Sequence, residues 1–326
     1  MRRKQFKRSQ AMVHKHAGFS LVELMVAMLL GLFLLYGVVE IYLSNNQTNR
    51  LQNGFSQVQE NGRMAVELVS REIRRADFFG CLPDGDDIHV NLNDGYDANL
   101  YDFSTGGIGG ANDVAAGTTV GATQAVVAGT DTLVLRGTKD AGVNIEPPYM
   151  PKVSAALQIT ANSGVQQYDV LLVSDCIAGN LFEVSNANPS GGGIIAHNEG
   201  TGNIGNKLKD FYKTYGADAG ILQPYARTYF ISNDLNGEPS LFVSDNGVIN
   251  ELIPGVENMQ VTYGEDSNGN LAVNDWLTAN VVGDMEKVLA IRVVFTIRSY
   301  GSVGASGDGI LRKNYTVTTN IRNRMI

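Results

Sequence analysis

A long apolar segment near the N-terminus constrains this chain more than any other feature. Phe19–Leu43 spans 25 residues, and the sixteen residues Leu24–Val39 are all apolar or glycine. At ~1.5 Å of rise per residue, a helix of this length crosses the ~30 Å hydrocarbon core of a membrane. The first 18 residues contain six Lys or Arg and no acid. The positive-inside rule therefore predicts a cytoplasmic leader and a C-terminal body across the membrane.

The small residues that precede the apolar segment suggest a processing site. A secretory signal peptide has its small-residue cleavage site after the apolar region. Here Ala17-Gly18 lies before that region. A cut after Gly18 would therefore leave the hydrophobic helix on the mature protein.

One acidic residue, Glu23, lies within the first turns of the apolar segment. A carboxylate inside a membrane costs roughly 2.5 kcal/mol on insertion scales, so such a residue is a functional candidate. The alternative is a side chain that snorkels to the nearby cytoplasmic interface. A second acid, Glu40, lies near the outer end of the segment, where an interfacial position explains it.

The hexapeptide Gly18-Phe19-Ser20-Leu21-Val22-Glu23 resembles the class III signal of type IV prepilins and pseudopilins. The resemblance implies that a prepilin peptidase cuts between Gly18 and Phe19 and N-methylates Phe19. It also implies that Glu23 attracts the terminal ammonium of Phe19 in an adjacent subunit. That contact would neutralise both charges and set the axial register of assembly.

After the apolar segment the chain becomes amphipathic. Residues at three- and four-residue steps form one apolar helix face, namely Leu51, Phe55, Val58, Gly62, Ala65, Val69 and Ile73. We therefore expect one helix from Phe19 to about Phe79. The predicted organisation is a leader at 1–18, a pilin helix at 19–79 with its transmembrane half at 19–43, and a β-rich globular head with long loops at 80–326.

The body contains period-two segments separated by turn signals such as Asn236-Gly237, Asn246-Gly247 and Asn268-Gly269. A helix followed by a run of strands predicts an α+β fold, with the helix packed on a mainly antiparallel sheet. Residues 84–130 and 186–206 are loop-rich. The predicted strands are Thr132–Arg136, Tyr168–Ser174, Tyr225–Ser232, Ser240–Ser244, Val256–Tyr263, Val288–Arg298 and Asn314–Arg322.

The chain has two cysteines, Cys81 and Cys176. Export to an oxidising compartment favours a disulfide between them, although two buried free thiols would have the same sequence. In the chain-entropy model, a disulfide that closes a loop of about 100 residues stabilises the folded state by roughly 4.7 kcal/mol.

Charge and motif content argue against several classes of function. Beyond Gly18 the chain has 19 basic and 33 acidic residues, a formal charge of −14, which repels nucleic acid. No zinc, phosphate-loop or nucleophile-elbow motif occurs, so we expect no enzyme, no metal and no cofactor. Asp266-Ser-Asn268-Gly-Asn270 departs from the EF-hand pattern, and we interpret it as a hairpin turn.

The two ends of the chain are similar to the PilW family of minor pilins, and more distantly to the J-type pseudopilin of type II secretion. The resemblance rests on Met64–Cys81, Gly255–Gly264 and the closing Tyr315–Arg324. It implies a minor pilin that helps to initiate type IV pilus assembly and sits near the fibre tip. Twitching motility and cell adhesion would then follow from the pilus.

That resemblance also implies partners and a location. The partners are the prepilin peptidase, the other minor pilins, the major pilin and the inner-membrane assembly machinery, with a tip adhesin as a further candidate. The protein would be single-pass in the bacterial inner membrane with a periplasmic head, and then part of the extracellular fibre. A type II secretion pseudopilin and a membrane-tethered periplasmic binding protein remain as alternatives.

Overall fold

The computed structural model describes residues 18, 20–83, 85–104, 106–121, 124–200, 202–304 and 307–324. It divides the chain into two compact units, Met1–Gln52 and Asn53–Ile326. The first unit contains the N-terminal part of helix α1, which spans Leu21–Arg75. We refer to residues 53–326, including the C-terminal part of α1, as the globular unit.

The globular unit is mostly β-structure. Its short helices are α2 (Ala98–Tyr101) and α3 (Pro189–Gly192), and 3-10 turns span Met285–Lys287 and Arg322–Arg324. The strands are β1 (Ile88–Val90), β2 (Ile108–Ala111), β3 (Thr119–Val120), β4 (Gln124–Ala125), β5 (Thr132–Asp140), β6 (Leu157–Gln158), β7 (Val170–Ser174), β8 (Gly179–Glu183), β9 (Ile194–Ile195), β10 (Gly220–Asn233), β11 (Pro239–Asp245), β12 (Val248–Pro254), β13 (Val256–Glu265), β14 (Asp275–Leu277), β15 (Val288–Arg298) and β16 (Arg312–Asn320).

Two sheets contain most of these strands. The larger has eight strands along the path β1-β8-β7-β10-β11-β12, with β5 also on β10 and β2 on β5. The smaller has four strands in the order β14-β13-β15-β16. Within the described residues, β1 and β8 pair in parallel and the other strand pairs are antiparallel. A long helix with a mainly antiparallel β-body confirms the predicted α+β class.

All seven predicted strands are present, with boundaries moved by a few residues. The hairpin predicted around Asn236-Gly237 forms between β10 and β11. Asn246 and Gly247 both have positive φ and connect β11 to β12, a strand that we did not predict. β8 was also missed, because all five residues of Gly179–Glu183 are buried and show no polar alternation.

One face of the C-terminal part of α1 is buried against both sheets. Val58, Ala65, Val69 and Ile73 are each 0% exposed and share one apolar cluster with residues of β5, β10, β13 and β15. Burying a Val or Ile side chain contributes about 1.5–3 kcal/mol, so this face stabilises the unit substantially. The prediction for one position was wrong, because Phe55 is 47% exposed.

Glycines allow α1 to approach the strands and loops closely. Gly54 is buried in place of Phe55, and a Cβ there would lie 2.8 Å from Val303 Cγ1. At Gly62 a Cβ would lie 2.3 Å from Cε2 of Tyr315, in β16. Helix and sheet therefore meet at a distance that only glycine permits.

Helix α1 ends at Arg75, four residues before the predicted end. Asp77 has a φ of 62°, and its N–H donates to the Arg136 carbonyl of β5 at 2.8 Å. Thr138 N–H donates to the Phe78 carbonyl at 2.8 Å. The segment that follows α1 is therefore hydrogen-bonded to β5. The left-handed turn at Asp77 stops the helix.

Gly62→Ala tests the close approach of α1 to β16. In a solvent-exposed helix the change would raise the free energy of unfolding by about 1 kcal/mol. Here we expect that free energy to fall by about 1–3 kcal/mol, because the added methyl group clashes with the Tyr315 ring. The ring has little room to move, since its hydroxyl is buried. The measurement is the free energy of unfolding of the purified protein in denaturant.

The matched control is Gly220→Ala, at the start of β10, where nothing lies within 4 Å of the added Cβ. It should leave the free energy of unfolding almost unchanged. Equal stability of the two variants would contradict the packing argument.

Candidate processing and assembly site

The predicted cut site lies immediately before the helix. Gly18 is exposed and has no regular secondary structure, and α1 begins three residues later at Leu21. Phe19 lies outside the described residues. A peptidase needs accessible backbone outside regular secondary structure, and Gly18 meets that requirement.

Ser20 caps the N-terminus of α1. The Glu23 N–H donates to Ser20 Oγ at 3.2 Å, and the Ser20 carbonyl accepts the N–H groups of Glu23 and Leu24 at 3.1 Å each. Ser20-x-x-Glu23 has the spacing of a capping box. We did not single out Ser20 from the sequence, although this spacing would have indicated its role.

Glu23 lies in the first turn of α1 and is exposed. The N-terminus of a helix carries a partial positive charge, so a carboxylate there is favourable to the helix itself. The same end of the helix would also carry the new amine if the chain were cut after Gly18. The resemblance to prepilins implies that the Glu23 carboxylate of one subunit pairs with the terminal amine of another. Both groups would then lie at the N-terminal end of their helix.

In the described part of the N-terminal unit, helix α1 exposes its apolar side chains to solvent. Among the described residues, α1 is long and apolar enough to cross a membrane, with a mean hydropathy of 2.4 in its most apolar 18-residue window, none of it buried. Large side chains such as Leu34 and Phe33 are 73% and 68% exposed. A side-chain surface of this kind needs lipid or other helices around it.

Comparison with known families matches two parts of the chain. The prokaryotic N-terminal methylation motif matches residues 13–38, which include Gly18 and Glu23. The family described as type IV pilus-assembly protein W, PilW, matches residues 228–303, from β10 through β15.

In these two segments the chain is similar to the PilW family of type IV pilus-assembly proteins and to proteins with the prokaryotic N-terminal methylation motif. It has no match among curated proteins and none among solved structures. Families of this kind are structural, and the N-terminal apolar helix with its prepilin motif fits an inner-membrane anchor and a pilus fibre.

A disulfide joins Cys81 to Cys176, 95 residues apart. It connects the segment after α1 to the turn between β7 and β8. Beside it, Lys213 forms an ion pair with the buried carboxylate of Asp175, for which the sequence showed no partner. Burial raises the pKa of Asp175, but hydrogen bonds from Lys213, Ala178 and Ile177 outweigh that effect and lower it.

The segment around Asp266 forms the predicted turn. It connects β13 to β14, which pair antiparallel. The Asp266 carboxylate accepts N–H groups from Gly269 and Leu271, both at 2.7 Å, and weaker bonds from Asn268 and Asn270. Its oxygens are therefore used by the backbone of the turn. In the part of the chain that the structure describes, no group of three or more His, Cys, Asp or Glu could hold a metal ion.

The double variant Cys81→Ser/Cys176→Ser tests the contribution of the disulfide. Because the bond closes a long loop, we expect its loss to lower the free energy of unfolding by about 2–5 kcal/mol. Denaturant titration of the purified protein measures this. Wild-type protein should show no free thiols after denaturation without reductant, and the appearance of two would contradict the pairing.

Proposed function

We propose that the chain is cut between Gly18 and Phe19 by a prepilin peptidase, N-methylated on Phe19 and incorporated into type IV pili as a minor subunit. The observation that carries this proposal is the position of Gly18 within the matched methylation motif, exposed and immediately before a capped helix. The match to a pilus-assembly family favours the pilus over a type II secretion system.

The mechanism begins with retention in the inner membrane. The basic leader keeps the N-terminus cytoplasmic and the globular unit periplasmic, by the positive-inside rule. Cleavage then removes six positive charges and creates an α-ammonium on Phe19. N-methylation retains that positive charge.

Assembly replaces lipid around the apolar helix with helices of other subunits. In that environment the Glu23 carboxylate is costly unless a cation is near it. The Phe19 ammonium of an adjacent subunit supplies such a cation. The pair forms in one axial register, because each group is fixed near the start of its helix.

The minor-subunit role follows from the family. We infer that the protein acts with the other minor pilins at the start of assembly and remains near the fibre tip. The major pilin and the inner-membrane assembly machinery are its further partners, and a tip adhesin is a candidate ligand of the assembled group.

Gly18→Ala tests the cut site. We expect it to block or strongly slow cleavage, because the peptidase is expected to cut after glycine, and alanine adds a methyl group at that position. Intact mass and N-terminal sequencing of membrane-extracted protein measure the outcome. The wild type should begin at N-methylated Phe19, and cells without the peptidase should retain Met1. An unprocessed wild type in cells with the peptidase would overturn the proposal.

Glu23→Gln tests the register contact. The variant should be cleaved normally but recovered in sheared fibres at roughly a tenth of the wild-type level or less, because a charge-assisted contact of about 1.5–3 kcal/mol is lost. Glu40→Gln is the matched control, with the same change in the same helix. Equal recovery of the two variants would exclude a specific role for Glu23.

A further inference from the structure

A cavity of about 550 Å³ lies in the globular unit at the C-terminal end of α1. Four separate parts of the chain form it: the end of α1, the end of β5, β10 and the C-terminal turn. Its lining residues are Glu72, Arg74, Arg75, Phe78, Thr138, Lys139, Asp140, Tyr225, Arg227, Arg322 and Asn323. Five are cations and two are acids, although the chain beyond Gly18 is strongly acidic.

Ion pairs account for part of this charge. Arg227 pairs with Glu72 and, at 3.0 Å, with Asp245, and Arg75 lies 3.7 Å from Glu72. The Glu72 carboxylate is therefore neutralised within the wall. In the part of the chain that the structure describes, Arg74, Lys139 and Arg322 are exposed and have no ion pair.

The helix end explains only some of these cations. A helix C-terminus attracts Arg and Lys, which accounts for Arg74 and Arg75. Lys139 comes from β5 and Arg322 from the C-terminal 3-10 turn, so neither belongs to the helix.

Two carbonyls at the end of the helix have side-chain donors. Tyr225 Oη donates to the Arg75 carbonyl at 3.0 Å, and Asn323 Nδ2 donates to the Ala76 carbonyl at 2.8 Å. Burial, and then the charge of Glu72, raises the pKa of Tyr225 to about 12, so its hydroxyl stays a donor. These two carbonyls therefore do not need the unpaired cations as caps.

We propose that this cavity binds a carboxylate-bearing peptide segment of a neighbouring pilus subunit. Arg74, Lys139 and Arg322 would contact the carboxylate, and Phe78, which is 36% exposed, would contact the adjoining apolar group. This inference rests on the proposed function for the identity of the partner. The binding chemistry rests on the cavity alone.

A peptide carboxylate fits the cavity better than a nucleic acid. Asp140 lines the same cavity, and the chain beyond Gly18 has a formal charge of −14, so a polyphosphate chain that extends past the cavity would meet repulsion. A carboxylate is small enough to lie within the cavity and pair with its free cations.

The test uses the full mature protein in detergent and a peptide, Phe-Glu-Glu-Gly, whose C-terminus is amidated and whose N-terminus carries an uncharged fluorophore, followed by fluorescence anisotropy. We expect saturable binding that weakens with added salt and falls about tenfold or more for Phe-Gln-Gln-Gly with the same label and the same amidated C-terminus. Arg74→Glu/Arg322→Glu should weaken binding by at least the same factor. Its thermal unfolding should be only slightly below the wild type, since neither side chain has an ion pair and a charge at a helix C-terminus contributes about 0.3–1 kcal/mol.

The matched control is Lys152→Glu/Lys209→Glu, which makes the same charge change at exposed lysines outside the cavity. It should bind the acidic peptide within about twofold of wild type, since distant exposed charges are screened. Equal loss in both double variants would show a general charge effect and overturn the proposal.

Two further results would overturn it: equal binding of the acid and amide peptides, or no binding of either. The last measurement replaces the peptide with a labelled single-stranded oligonucleotide, which tests whether the cavity binds nucleic acid. Tighter binding of the oligonucleotide, lost in Arg74→Glu/Arg322→Glu, would assign the cavity to polyanions instead. Cleavage and fibre recovery are measured in separate experiments. If the peptide does not bind, the proposed pilin function is unaffected. If cleavage or fibre recovery fails, the peptide-binding result still tests the cavity.

Discussion

The packing of one narrow face of α1 against two sheets is the interaction on which the globular unit depends. Gly62 and Ala65 let the helix backbone approach the strands, and Val69 and Ile73 fill the space that remains. Because residues of both sheets enter the same apolar cluster, the helix is their shared core element. Without it, the inner faces of both sheets would be exposed to water.

The end of α1 adds a polar anchor to that apolar contact. Asp77 and Arg324 form an ion pair with both side chains nearly buried, at 7% and 6% exposure. Removing two charges from water is costly unless their other hydrogen bonds are made. Asp77 also accepts the Gly107 N–H, and Arg324 donates to the carbonyls of Met285 and Val288. The pair therefore ties the helix end to the last turn of the chain.

This anchor also explains how the cationic cavity arises. Arg322 and Asn323 immediately precede Arg324, so the ion pair that fixes Arg324 also brings Arg322 beside the end of α1. Lys139 reaches the same place because β5 pairs with the chain just after Asp77. A structural contact thus places charged side chains from three segments around one cavity, and they become available for binding.

The sequence by itself determined the processing motif, the membrane-length helix, the α+β class and the alternating strands. These features depend on residues close together in the sequence, because periodicity and motif spacing are local patterns. The tertiary structure decided which residue of each helix turn is buried, as at Gly54 in place of Phe55, and where the helix ends. It also decided that Arg74, Lys139 and Arg322 surround one cavity. These outcomes depend on contacts between residues far apart in the chain, and a local pattern carries no information about such distances.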